Sequence, residues 1–298
     1  MALVHEENSR NRNPKEGEDK ALKGNQLCYY PDDADTRKPV ISLKNLGLTY
    51  TSENNQVNAL EDINLEIKEG EFICLLGPSG CGKSTLLKVI AGFISPSEGE
   101  AYVNTTKISG SDWNRGVVFQ QPALYPWLSV EDNVKFGLKM RKLPKAEQRE
   151  LTEHYLEKVG LLDFRKHKPY ELSGGMRQRV MIARVLVNNP LVLLMDEPFG
   201  ALDALTRDQM QNLLRSIWWE SHKSILFITH DVDEALSLGT RVLVMSPRPG
   251  KIIKEFKTSF TNSITGENAD QIRFTSEFKK VREEVLDLIN HVRTEYYI

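Results

Sequence analysis

Gly77-Pro78-Ser79-Gly80-Cys81-Gly82-Lys83-Ser84 lies between two segments of different character. Before it, Phe72 to Leu76 is a short unbroken apolar run, which reads as a strand buried on both faces. After it, Lys83 to Ala91 reads as a helix. The octapeptide fits the P-loop pattern G-x-x-x-x-G-K-[ST]. The chemistry explains the residue types. Backbone N–H groups must curl around phosphate oxygens, and glycine lets the chain adopt that curl. A helix beginning near Gly82 points its positive end at the anion. Lys83 would reach the outer phosphates, and Ser84 would offer a hydroxyl to Mg²⁺. Strand, loop and helix in that order open an α/β unit, so this stretch decides the fold class.

Working outward, Val40 to Tyr50 alternates apolar and polar residues, as do Ile63, Leu65 and Ile67 before the Glu69-Gly70 turn. Both read as half-buried strands. Residues 123–188 read as mostly helical. Ser129 precedes Val130-Glu131-Asp132, an N-cap with acidic residues in the first turn. Pro144 can open the next helix at its first position, Leu151, Tyr155, Leu156 and Val159 form that helix's apolar face, and Gly160 ends it. After Pro190 strands return at Leu191 to Met195, Ser224 to Ile228 and Arg241 to Met245. With intervening helices such as Leu205 to Glu220, these predict a parallel sheet with crossovers. Trp218 and Trp219 are expected to pack that helix on the sheet. Ser246 to Gly250 is a turn cluster, and Lys251 to Phe256 predicts one more strand. Phe274, Phe278, Val281, Val285, Leu288, Ile289 and Val292 recur at helical spacing and predict one amphipathic helix packed on the domain.

Two further stretches carry chemistry. Leu191-Val192-Leu193-Leu194-Met195-Asp196 is an apolar strand ending in a carboxylate, a Walker B pattern that places Asp196 to hold Mg²⁺. Glu197 follows, and a second carboxylate beside the metal ligand suits polarising an attacking water. Leu172-Ser173-Gly174-Gly175-Met176 precedes a helical run rich in Arg and Ala.

A P-loop, an LSGG-type signature and a Walker B strand followed by Glu, in that order, resemble an ATP-binding-cassette (ABC) ATPase. Gln120 after Val117-Val118-Phe119 resembles the Q-loop glutamine, and Ala201-Leu202-Asp203 resembles the D-loop. His230 resembles the switch histidine, and Tyr50 resembles the aromatic that stacks on adenine. The resemblance covers about residues 40–250. Arg115 to Gln120, Pro126-Trp127-Leu128, Asp196 to Asp203 and Ser246 to Gly250 are similar to the nitrate/sulfonate/taurine group of ABC importers. Thr206 to Gln211 and the terminal helix resemble the taurine branch most.

The resemblance implies an α/β P-loop core with an antiparallel β subdomain and a helical subdomain. It implies ATP and Mg²⁺ as bound groups, with nucleotide held by Tyr50 and by Gly77, Pro78, Ser79, Gly80, Cys81, Gly82, Lys83, Ser84 and Thr85. Ser84, Gln120 and Asp196 would serve the metal. Glu197, His230 and Gln120 would serve catalysis. Two subunits would pair head to tail, with Ser173, Gly174, Gly175 and Asp203 acting on the partner's nucleotide. The implied partners are a transmembrane permease, docking near Leu124 to Val130, a second cassette of the same or similar chain and, indirectly, an external solute-binding protein. Such a subunit lies peripherally on the cytoplasmic face of the membrane. Met176 departs from the family's more usual glutamine, and Thr51 to Gln56 reads as a lengthened loop after Tyr50. The rival reading is a soluble ABC ATPase that moves no solute. Those usually carry two cassettes or a long coiled coil, whereas this chain has one P-loop and no heptad run.

Composition agrees with a globular chain: 298 residues, 27% charged and 40% hydrophobic. No stretch approaches the roughly 18 apolar residues of a membrane span. A net charge of -2 gives no support to a nucleic-acid binder. Cys28, Cys74 and Cys81 have no metal-ligand spacing. The expected organisation is a flexible tail over 1–39, a nucleotide-binding domain over 40–250 with its helical subdomain at about 123–188, and a C-terminal extension over 251–298.

Overall fold

Two antiparallel strands, β1 (Pro39–Ser52) and β2 (Asn55–Lys68), are the first elements among the described residues. The computed structural model describes residues 37–52, 55–263 and 269–296, so most of the tail expected over 1–39 lies outside the described residues. The alternation that predicts β1 is interrupted. Leu43 and Leu46 are three apart, yet both are buried. The register shifts between them, and Asn45 takes φ 46° and donates its N–H to Asn64 Oδ1. A bulge there returns the apolar side chains to one face. The lengthened loop expected over Thr51 to Gln56 is instead ladder: Tyr50 pairs with Val57, Thr51 with Gln56 and Ser52 with Asn55.

β3 (Phe72–Leu76) leads through the glycine loop to α1 (Lys83–Ala91). β4 (Glu98–Val103) and β5 (Thr106–Lys107) complete a four-stranded antiparallel sheet in the order β2-β1-β4-β5. β6 (Arg115–Val118) is followed by three helices, α2 (Val130–Met140), α3 (Lys145–Lys158) and α4 (Gly174–Leu186). Their apolar faces close on one cluster holding Val134, Leu138, Leu156, Val159, Val180 and Ala183. Pro144 stands one position earlier than expected, as the residue before α3.

The chain then alternates β7 (Val192–Asp196), α5 (Ala204–Ser221), β8 (Ser224–Ile228), α6 (Val232–Leu238), β9 (Arg241–Met245) and β10 (Ile252–Lys257). The second sheet has the order β10-β9-β3-β8-β7-β6 and is parallel except for β10. β3 lies inside it, which explains its continuous apolar run. Ile73 and Leu75 join one core with α1 and the antiparallel sheet. Phe72, Cys74 and Leu76 join the other with α5 and α6. Trp218 is buried in that second core, edge-on to Phe72 at 5.9 Å, and its Nε1 donates to Gly70 O at 3.0 Å.

The amphipathic helix expected from Phe274 to Val292 is a single helix that starts two residues later, at Ser276. After α7 (Phe260–Ser263) come α8 (Ala269–Arg273) and α9 (Ser276–Tyr296). Thr275 sets the start of α9 because its hydroxyl accepts from Phe278 N, as a helix cap does. Phe274 therefore leaves the apolar stripe and is 73% exposed, while Phe278 and Val285 enter the second core. No described helix is long and apolar enough to cross a membrane.

Candidate nucleotide site

The loop after β3 reaches α1 through backbone that only glycine adopts easily. Gly82 has φ 108°, and a Cβ there would lie 2.8 Å from Ala59 O. The loop is thus wedged against β2, and Cys81 N donates back to Pro78 O at 3.3 Å, closing a tight turn. Lys83 is 6% exposed; its Nζ donates to Gly77 O at 2.8 Å and Pro78 O at 3.0 Å. Burial pushes the Cys81 thiol up from its ordinary range, so this cysteine serves as small packing under the loop.

A cleft of about 410 Å³ opens over the loop. It is lined by Tyr50, Ser79, Gly80, Gly82, Lys83, Ser84, Thr85 and Glu197, and by three residues that sequence reading missed: Val57, Ala59 and Arg248. Tyr50 sits at the rim, its hydroxyl 3.5 Å from Thr85 Oγ1. The long hairpin places Val57 opposite Tyr50. Arg248, inside the turn cluster after β9, donates from Nη2 to Gly80 O at 3.2 Å. No spacing rule links residues 57, 59 and 248 to the loop; sheet register brings them there.

The carboxylates gather at the C-terminal end of β7, where a parallel sheet presents ligands. Ser84 donates its hydroxyl to Asp196 Oδ1 at 3.0 Å. Burial raises the Asp196 carboxyl above the ordinary aspartate range; the Ser84 hydrogen bond pulls it down, and the Glu197 charge pushes it up again. A hydroxyl and a carboxylate oxygen are the hard donors that Mg²⁺ takes. Glu197 holds φ 43°, a left-handed backbone that costs a non-glycine residue about 1–3 kcal/mol. Its N–H donates to Ile228 O, and its Oε2 lies 3.3 Å from His230 Nδ1. A Cβ built at Gly200 would lie 3.8 Å from Glu197 Oε2 and 4.0 Å from Gln120 Nε2. Gln120, just past the end of β6, and Glu197 thus both border Gly200.

Gly77, Pro78 and Cys81 lie in the loop beneath the cleft and Gln120, Asp196 and His230 lie near its carboxylates, none of them in its lining, whereas Ser173, Gly174, Gly175 and Asp203 belong to other elements. Ser173 caps α4, its Oγ accepting from Met176 N at 3.2 Å. Gly174 and Gly175 form the first turn of that helix. Asp203 caps α5, with Oδ1 accepting from Thr206 N at 3.0 Å; this bond lowers its carboxyl below the ordinary range. The two caps are neighbours, since a Cβ on Gly175 would lie 2.5 Å from Thr206 Cγ2. One chain thus presents a phosphate-loop cleft and, separately, a helix start flanked by a second cap. The Ser173 hydroxyl accepts within the cap and retains its proton for an outside acceptor.

A family model described as ABC transporter matches residues 60–200. The taurine import ATP-binding protein of Roseobacter denitrificans is 48% identical over 250 residues, covering 84% of this chain and 93% of that protein. The protein of the same name from Pelagibacter ubique is 47% identical over 253 residues, covering 85% and 96%. Among solved structures, a dimeric ATP-binding cassette in a post-hydrolysis state with ADP and phosphate superposes with a TM-score of 0.65 at 37% identity, covering 74% of this chain and 99% of that one. The chain belongs to the ABC transporter family, as one of its ATP-hydrolysing cassettes.

Proposed function

We propose that this cassette energises the import of taurine or a similar small sulfonate through a separate membrane subunit. What carries the proposal is similarity of 46–48% to proteins named for taurine import, extending over about 250 residues. Nitrate and bicarbonate importers of the same group are outcomes that the experiment below separates.

In this reading the adenine stacks on Tyr50 at the cleft rim. The phosphates follow the loop that Gly77 and Pro78 open, accepting from N–H groups between Ser79 and Thr85, and Lys83 exchanges its carbonyl partners for phosphate oxygens. Ser84 and Asp196, with Gln120, would hold Mg²⁺. The bound ion would neutralise charge on the phosphate oxygens. Glu197 orients and deprotonates the attacking water, and His230, beside it, contacts the γ-phosphate. Gln120 links the group to the helices α2 to α4.

A second copy, or a similar chain, docks head to tail and brings Ser173, Gly174, Gly175 and Asp203 to the other side of the nucleotide. ATP is then part of the interface, and its hydrolysis shifts the pair from closed to open. The permease would dock near Leu124 to Val130, where Trp127 is 69% exposed beside Tyr125. The subunit works at the cytoplasmic face of the membrane, and a solute-binding protein outside delivers the sulfonate to the permease.

The test is cross-linking in native membranes followed by purification of this chain and mass spectrometry. The expected result is a multi-span membrane protein together with a solute-binding protein that binds taurine in preference to nitrate or bicarbonate. Preference for nitrate or bicarbonate overturns the solute. Recovery of soluble partners alone, where a control transporter stays intact, overturns the importer.

A further inference from the structure

Behind the His230 loop lies a buried carboxylate that the reaction as described does not use. Glu234 is on α6 and is 5% exposed. Both its oxygens are occupied by donors: Thr229 Oγ1 donates to Oε2 at 2.5 Å, and Gln211 Nε2 donates to Oε1 at 3.0 Å. Thr229 is the residue immediately before His230, and its hydroxyl also accepts from Asp231 N at 3.0 Å, immediately after it. Glu234 N in turn donates to Asp231 Oδ1 at 3.1 Å. The backbone carrying His230 is therefore clamped on both sides by a chain of bonds that converges on one carboxylate. A cavity of about 20 Å³ lies between this clamp and Glu197 and His230. That is room for about one water.

The far side of the carboxylate is fixed as well. Gln211 on α5 turns its Oε1 to Arg273 Nη2 at 3.2 Å, and Arg273 also lies 3.8 Å from Asp208. Arg273 ends α8, in the C-terminal extension, so the amide of Gln211 is oriented from both ends. Burying a carboxylate opposes folding unless every oxygen is satisfied. Simple packing at this position would be served by an apolar side chain. A carboxylate here instead fixes direction, because two donors on separate elements must meet it.

We propose that Glu234 is a positioning residue for hydrolysis: through Thr229 it holds the loop that aims His230 at the γ-phosphate. The inference rests on the role given to His230 above. Because Glu234 does not line the nucleotide cleft, its loss acts on turnover and leaves nucleotide affinity in place.

The test is steady-state ATP hydrolysis by the full chain, with ATP affinity and thermal melting measured on the same samples. Glu234→Ala should lower kcat about tenfold or more with KM for ATP changed less than about twofold, as for the loss of a positioned group. Glu234→Gln should restore kcat to within about threefold of wild type. Its carbonyl oxygen still accepts from Thr229, although Gln211 must then turn away from Arg273. Thr229→Val should match Glu234→Ala, Thr229→Ser should restore turnover, and Glu234→Ala with Thr229→Val should lose no more than either alone. If Glu234→Ala fails to fold, the Thr229→Val and Thr229→Ser pair decides. Full kcat in Glu234→Ala, additive losses with Thr229→Val, or a raised KM at constant kcat each overturns the proposal. His230→Ala separates the levels. Lost turnover there with intact turnover in Glu234→Ala overturns this inference alone, and intact turnover in His230→Ala overturns the role of His230 and this inference together.

Discussion

Glu197 combines a left-handed backbone with a carboxylate 3.3 Å from an imidazole, and the two features have one cause. The turn after β7 must lift the side chain out of the sheet end, and the N–H bond to Ile228 O holds it there. Strain of this kind persists only where the surroundings enforce it. Glu197→Gln keeps the shape and removes the base. Hydrolysis should fall about 10²-fold or more while ATP binding is retained, as for loss of a general base. Single-turnover kinetics beside equilibrium ATP binding check this, and wild-type turnover would remove Glu197 from the role. Tyr50, the loop residues Ser79, Gly80, Gly82, Lys83, Ser84 and Thr85, and Glu197 were legible from residue type and order. Val57, Ala59, Arg248 and Glu234 were not, because each owes its place to partners far away in the chain.

Among the elements, α2 shows a cap acting as read. Ser129 Oγ accepts from Asp132 N at 3.1 Å and donates to Asp132 Oδ2 at 2.7 Å. Ser129→Ala should cost about 1 kcal/mol, seen as a lower denaturant midpoint at constant slope. The same bond, before the Lys135 contact, holds the Asp132 carboxyl below the ordinary aspartate range. A depressed carboxyl contributes stability above the ordinary pKa of about 3.9 and loses it as pH falls through the lower folded value. The deficit of Ser129→Ala should therefore shrink in acid, and a deficit constant from pH 7 to pH 2 would contradict the link. The start of α4 obeys a different limit. Gly175→Ala drives a methyl group into Thr206 Cγ2, with a cost of about 1–3 kcal/mol. Thr206→Ser removes the opposing methyl and should recover most of that loss. Melting of the two single variants and the double variant measures it; additive losses would show that the contact is not the cause.

For the whole molecule, one face of β3 belongs to each of two cores, and β3, β8 and β7 are adjacent parallel strands, so the residues that follow them, Gly77, His230 and Glu197, share one edge of the sheet. The cleft and the Ser173 helix start are separate surfaces of one chain. Head-to-tail pairing would unite them across ATP. Glu197→Gln with ATP should accordingly run at dimer mass in size-exclusion chromatography with multi-angle scattering, and wild type after hydrolysis should run as monomer. Monomer mass for Glu197→Gln at saturating ATP would remove nucleotide from the interface.

Residue order alone determined the P-loop, the Walker B carboxylates, the signature and the parallel sheet, since each rests on local spacing and on apolar runs of strand or helix length. The helix Lys83–Ala91 and the strands Phe72–Leu76, Ser224–Ile228 and Arg241–Met245 follow from such local patterns. Tertiary structure decided the rest. It set the bulge at Asn45, the long hairpin that brings Val57 opposite Tyr50, and the cap at Thr275 that turns Phe274 outward. It also set the convergence of Thr229, Gln211 and Arg273 around Glu234. These depend on strand register, on competing local hydrogen bonds and on packing between distant segments, and a periodic pattern along one segment carries none of that information.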